Sequence, residues 1–265
     1  MEFGNGVENF SLEINSAEEG FKTFRFPLAQ VLPSLEQACE YIHVEALAGN
    51  PSYDFLGQKL QELQTLPSEA VGGWRLARLT DMDTAAGHIS LAVAGIPSDS
   101  APSETAVAGE LNPGHQVCSY IKECDCVALF LCTAGHLFRR QYEAYNRQGD
   151  ILEAYLVDAL GSLTVENAMD RIHEALAGEM ASHGLRITNR YSPGYCNWPV
   201  TDQVNLFALV GANPTGISLN DSCLMSPIKS VSGLIGIGAK ARRRAYGCAV
   251  CQSKTCIYRK LTRRE

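Results

Sequence analysis

The chain has 265 residues, 46% of them hydrophobic and 19% charged, a balance that supports a buried core and reads as a soluble globular protein of one large or two small domains. No apolar run approaches the ~18 residues of a membrane helix, and residues 1–6 have neither a basic start nor an apolar stretch, so the expectation is a cytoplasmic protein without a leader or a membrane span. Ten cysteines in that setting read as thiols or metal ligands rather than a disulfide frame.

Residues 1–33 alternate apolar and polar groups, at Phe10, Leu12 and Ile14 and again at Phe24 and Phe26, which predicts one or two short strands in an N-terminal extension. Ser34 opens a helix carrying Leu35, Ala38, Cys39, Ile42 and Leu47 at helical spacing and ending near Gly49, and a second helix over 55–66 stops at Pro67. His43, alone among these helices, reads as a structural residue. Strands are expected over 74–79 and 88–94, and a loop over 96–103 is the place for an internal boundary or a flap. A helix starts at Asn112 and Pro113.

Residues 126–132 form a continuous apolar run, the mark of a buried strand, on which Cys124, Cys126 and Cys132 would share one face as inert thiols. Asp150 and Glu153 make a capping-box variant at the head of the longest helix, about 50 Å if unbroken. Glu166 falls among its apolar positions, either as an exposed acid or as one facing a pocket. A strand over 186–191, a helix over 201–211 and strands over 217–225 and 230–237 complete the pattern. Gly233, Gly236 and Gly238 stand in the reverse order of a dinucleotide-binding fingerprint and precede no helix, which excludes that reading. Helices and strands interleave without a repeating βαβ period, so the fold class is α+β.

The stretch with most chemistry is Arg190-Tyr191-Ser192-Pro193-Gly194-Tyr195, continuing to Trp198 and Pro199. Pro193 fixes its own φ and extends Ser192, and Gly194 tolerates a φ closed to other residues, so the chain bends sharply between a guanidinium and a phenol. Such a loop is either a plain structural turn or a cradle in which Arg190 pairs a carboxylate and Tyr195 stacks or donates. Together with Met225-Ser226-Pro227-Ile228-Lys229-Ser230-Val231-Ser232-Gly233, it resembles the activation domain of cobalamin-dependent methionine synthase, with its Arg-x-x-x-Gly-Tyr signature and later Pro-x-x-Ser-Val-Ser-Gly segment. The similarity runs back through 154–172 and, more faintly, to about residue 40.

The resemblance implies a mixed, mainly antiparallel twisted sheet with long helices over 34–239, and S-adenosylmethionine as ligand. Arg190 would hold the methionine carboxylate, Ser192 and Gly194 would offer backbone groups, Tyr195 would close the pocket and Glu166 would lie beside the ligand. Ile235 and Gly236 fall where the family places aromatic contacts, and the phenol of that position is missing. The implied role is reactivation: a methyl donor for cobalamin that has been oxidised to Co(II), with an electron from a flavodoxin- or ferredoxin-type donor. No Asp-x-His-x-x-Gly loop is present to ligate cobalamin, so the corrin would sit on a partner methyltransferase or methionine synthase subunit.

Residues 240–265 form a basic tail, with nine Lys/Arg against the single acid Glu265, a local +8 that leaves −15 on residues 1–239. Cys248, Cys251 and Cys256 lie within nine residues and could converge on zinc or an iron–sulfur cluster, act as redox thiols, or do neither. Two further readings stay open. One is a binding or assembly protein of the same fold that has lost the ligand. The other is a zinc-dependent protein touching RNA, which Tyr246 and Tyr258 as sole tail aromatics and the acidic body disfavour; nucleic acid is not the expected partner.

Overall fold

The computed structural model of the chain describes residues 20–93 and 107–244. Its elements in order are β1 (Lys22–Pro27), α1 (Leu28–Val31), α2 (Leu35–Ile42), α3 (Pro51–Gln64), β2 (Glu69–Asp83), β3 (His88–Val93), β4 (Val107–Leu111), α4 (Gly114–Ile121), β5 (Cys126–Thr133), α5 (Leu137–Gln148), α6 (Ile151–Ser182), β6 (Arg186–Tyr191), a 3-10 turn (Val200–Asp202), α7 (Gln203–Val210), β7 (Ser218–Leu219), β8 (Met225–Ser226) and β9 (Ser230–Gly238). The architecture is α+β around one antiparallel sheet of order β4-β3-β2-β5-β9-β6, with β1 also pairing β2. β2 is long enough to take β5 on one side and, end to end on the other, β1 and β3.

The eight buried residues of β5 explain the two layers. Ala128, Phe130 and Cys132 face one core, completed by Val157, Leu160, Met169, Ile172 and Leu176 of α6. Val127, Leu129 and Leu131 face the other, completed by Val117 and Ile121 of α4 and Leu206 and Leu209 of α7. A strand buried on both faces needs no alternation, which is why it reads as a solid apolar run. The close approach of α4 to β9 depends on glycine: a Cβ on Gly236 would lie 2.7 Å from Cys124 Sγ, and one on Gly238 would lie 2.6 Å from the Glu123 carbonyl.

Several expectations change. Cys124 does not share a face with Cys126 and Cys132: it follows α4, before the strand begins, and packs in the opposite core. Burial pushes the Cys124 and Cys132 thiols up to about 12 and Cys118 to about 11, so they stay protonated at neutral pH. α2 ends at Ile42, where His43 turns into the left-handed region at φ 58°, and Leu47 lies outside it, 57% exposed. The capping box forms at Ser34 and Gln37, each side chain bonding the other's backbone N–H. Asp150 makes no such bond: its N–H closes α5 on the Tyr145 carbonyl, and its ψ of 67° is not the extended one a cap requires.

The strand expected over 217–225 shrinks to the β7–β8 hairpin because Asn220 Oδ1 accepts from Ser222 and Leu224 N–H and tightens the turn. The residues placed in an N-terminal extension are integral from Lys22 on: β1 pairs along its length with β2, and Leu28 and Val31 are 1% exposed. Phe10, Leu12 and Ile14 and the 96–103 loop lie outside the described residues. Among those described, no helix is long and apolar enough to cross a membrane.

Candidate functional site

β6 is an outer strand of the sheet, and Arg190 sits near its end. Ile187 pairs with Ile237 and Arg190 with Ile235, so β6 spends one residue more than β9 over the same span, a β-bulge. The extra residue reverses the alternation. Ile187 packs in the α6 core, and Arg190, three residues on, turns to that same side, where its Nη2 lies 2.9 Å from Asp170 Oδ1 and 3.1 Å from Glu166 Oε2. Tyr191 points the opposite way and stacks on Tyr120 with centroids 5.6 Å apart.

The structure thus brings Arg190 and Glu166 together and adds Asp170, one helical turn beyond Glu166. Crowding by the surrounding protein pushes the Glu166 carboxyl above the usual carboxylate range; Arg190 pulls it back and Asp170 adds to the rise. Half of the side chain still meets water, which screens the effect. Ile235 is fully buried in the core beneath Arg190, and the Gly236 N–H donates to Thr188 Oγ1 at 2.9 Å.

One turn further along α6, His173 Nε2 bonds the Thr188 carbonyl at 3.0 Å. Burial pushes His173 below its ordinary value near 6.5, the Thr188 carbonyl opposes the shift, and Arg243 and Arg190 add to it. A histidine lowered on folding leaves stability intact above its unfolded value and removes it as pH falls through the folded one. Urea midpoints are therefore expected to drop as pH is lowered from about 6.5, and His173→Gln is expected to flatten that fall. An unchanged slope in the variant would put the acid sensitivity elsewhere.

Past Tyr191 the chain closes on itself. Tyr195 N–H donates to the Ser192 carbonyl (3.2 Å), Gly194 N–H to the Trp198 carbonyl (2.8 Å) and Trp198 N–H to the Tyr195 carbonyl (2.9 Å). Gly194 takes φ 91°, as Gly permits, while Cys196 and Asn197 follow at 53° and 63°, a pair of left-handed residues that the sequence does not announce. Tyr195 projects outward, 72% exposed, whereas Trp198 is buried in the α4–α7 core. The loop is pinned through Asp202, which is 5% exposed. Its carboxylate accepts from Trp198 Nε1 at 2.6 Å, Asn112 N–H at 2.7 Å and Asn205 Nδ2 at 2.8 Å.

Sequence reasoning picked out neither Asp170 nor Asp202. The four-residue spacing from Glu166 was available for the first; nothing periodic marks the second. Beside Asn112 and Asn205 opens a hollow of about 630 Å³, also lined by Thr80, Ser90 and Glu110, which contains none of the candidate ligand-binding or metal residues of the sequence analysis.

The root of the basic tail is fastened to the same strand. Asn189 bonds the Arg244 backbone twice, at 2.8 and 2.6 Å, Arg243 pairs with Glu174 at 2.6 Å, and Arg244 lies 4.7 Å over the Tyr120 ring. Cys248, Cys251 and Cys256 lie outside the described residues, among which no group of three potential metal ligands occurs.

Residues 116–260 match the profile of the family "Vitamin B12 dependent methionine synthase, activation domain". The span contains the Arg190 loop, the segment ending at Gly233 and the tail cysteines. In fold, the chain is similar to the crystal structure of the MetH reactivation domain bound to AdoHcy, with 16% identity, a TM-score of 0.53, and coverage of 86% of this chain and 81% of that one.

Proposed function

The chain belongs to the vitamin B12 dependent methionine synthase activation domain family, and from that premise we propose that it binds S-adenosylmethionine and presents its methyl group to a corrinoid held by a partner methyltransferase of the methionine synthase type. The observation that carries the reading is the guanidinium of Arg190, turned by a bulge onto the side of Glu166 within the matched span. The charge inventory fits the ligand. Arg190 offers bidentate donors to the α-carboxylate, and the acids beside it favour the ammonium and sulfonium.

A corrin on the partner, once reduced by one electron from a flavodoxin- or ferredoxin-type donor, would supply the nucleophile for the sulfonium methyl group, and S-adenosylhomocysteine would remain on this chain. No proton moves in that transfer, so this chain needs no general base. Its work is orientation and the exclusion of water. Arg190 anchors the carboxylate, backbone groups of Ser192 and Gly194 meet the ligand, and the outward Tyr195 ring closes over it. Glu166 steers the cationic end and Ile235 packs below Arg190, whereas Gly236 faces α4 on the other side of the sheet. The tail cysteines Cys248, Cys251 and Cys256 would hold zinc or an iron–sulfur cluster. Metal analysis with a visible spectrum of anaerobically purified protein separates the two, since only the cluster is coloured.

Calorimetry with the full chain is expected to show S-adenosylmethionine binding that weakens at least about tenfold in Arg190→Ala, with the unfolding transition retained. Equal affinity in both proteins would remove Arg190 from the site. An absence of binding in the unaltered chain would instead favour a binding or assembly protein that has lost the ligand, a reading to which the missing aromatics at Ile235 and Gly236 lend weight.

A further inference from the structure

Arg190 Nη2 lies within 3.1 Å of one carboxylate oxygen and 2.9 Å of another. One acid would be enough to neutralise a guanidinium; the second leaves a cluster of two negative charges and one positive. The exposures are unequal in a useful way. Arg190 is 17% exposed, while Glu166 and Asp170 are 52% and 63% exposed, so the guanidinium forms the base of the cluster and the two carboxylates its rim. A ligand that meets Arg190 from solvent passes both acids.

S-adenosylmethionine carries an ammonium, a sulfonium and a carboxylate, two positive charges and one negative. Set against the cluster, every charge on each side finds an opposite. S-adenosylhomocysteine has lost the sulfonium and leaves one rim carboxylate without a counterpart. In the methionine moiety four bonds separate the carboxyl carbon from sulfur, about 5 Å when extended. A ligand anchored on Arg190 therefore keeps its sulfur within about one Debye length, roughly 10 Å at 0.1 M salt, of both acids.

We propose that Asp170, together with Glu166, is a specificity determinant that makes this site prefer the charged methyl donor over the spent product, so that methyl transfer itself weakens binding and releases S-adenosylhomocysteine. This deepens the S-adenosylmethionine reading above and rests on it. The acids act at short range but are partly hydrated, so the preference is expected to be roughly threefold to tenfold and to shrink as salt is raised.

The test measures the dissociation constants of both ligands with the full chain and three variants. Asp170→Asn is expected to bring the ratio of the two toward one by weakening S-adenosylmethionine, with S-adenosylhomocysteine held within about twofold. Glu166→Gln should act in the same direction. Glu153→Gln, near the far end of α6, controls for net charge and should leave the ratio alone. A ratio unmoved in Asp170→Asn, or equal weakening of both ligands, overturns the selector while leaving the binding assignment in place. Failure of either ligand to bind the unaltered chain overturns both.

Discussion

Gly233→Ala is expected to cost at least about 3 kcal/mol and to leave much of the protein insoluble on expression. Gly233 pairs with Phe130 in the middle of the β5–β9 ladder, and a Cβ placed there would stand 2.0 Å from the Tyr191 carbonyl oxygen and 2.8 Å from the Phe130 ring. A ring can turn aside. The carbonyl belongs to the backbone of β6, so relief requires that strand to move off β9, taking Arg190 with it. Gly178 gives the matched contrast: it lies inside α6, where a Cβ would meet nothing within 4 Å, and Gly178→Ala is expected to stabilise by about 0.5–1 kcal/mol. Urea denaturation of the two variants should move in opposite directions; a Gly233→Ala protein as stable as the parent would mean that the β6–β9 contact yields easily.

The second large effect is expected at Asp202. Asp202→Ala removes the common acceptor of the Trp198 indole, the Asn112 backbone and the Asn205 amide, leaving the buried indole and two partly buried donors without their partner at a cost of about 2–4 kcal/mol. Asn205→Ala deletes only one donor and should cost about 1 kcal/mol. Because Trp198 anchors the end of the signature loop, Asp202→Ala should also weaken S-adenosylmethionine binding under conditions where the protein remains folded. A loss confined to stability, with ligand affinity intact, would show that the loop holds its shape without this tie.

Legibility in the sequence followed burial pattern. β5, α6 and β9 were visible because each carries apolar residues that can only be satisfied inside. α5 was not, since Phe138 is its one fully buried residue and the rest of the helix is mostly polar, with Leu137 and Tyr145 only partly buried. β4 escaped for a similar reason: it is short and at the sheet edge, with only Leu111 buried. At the site, Arg190 and Glu166 were each legible by type and position, but Asp202 is a lone acid whose burial depends on three donors brought from β4, α7 and the loop.

Taken by itself, the order of residues determined the α+β class and the bend at Pro193-Gly194, because periodicity and φ preference are local properties, and the motifs at 190–195 and 227–233 carried the resemblance to the family. Only the tertiary structure decided the side on which the guanidinium acts. Strand alternation carried forward from Ile187 would have sent Arg190 away from α6, and the bulge opposite β9 reversed it. A bulge is set by how two strands pair, so no property of either strand alone could have announced that Arg190 would meet Glu166 and Asp170.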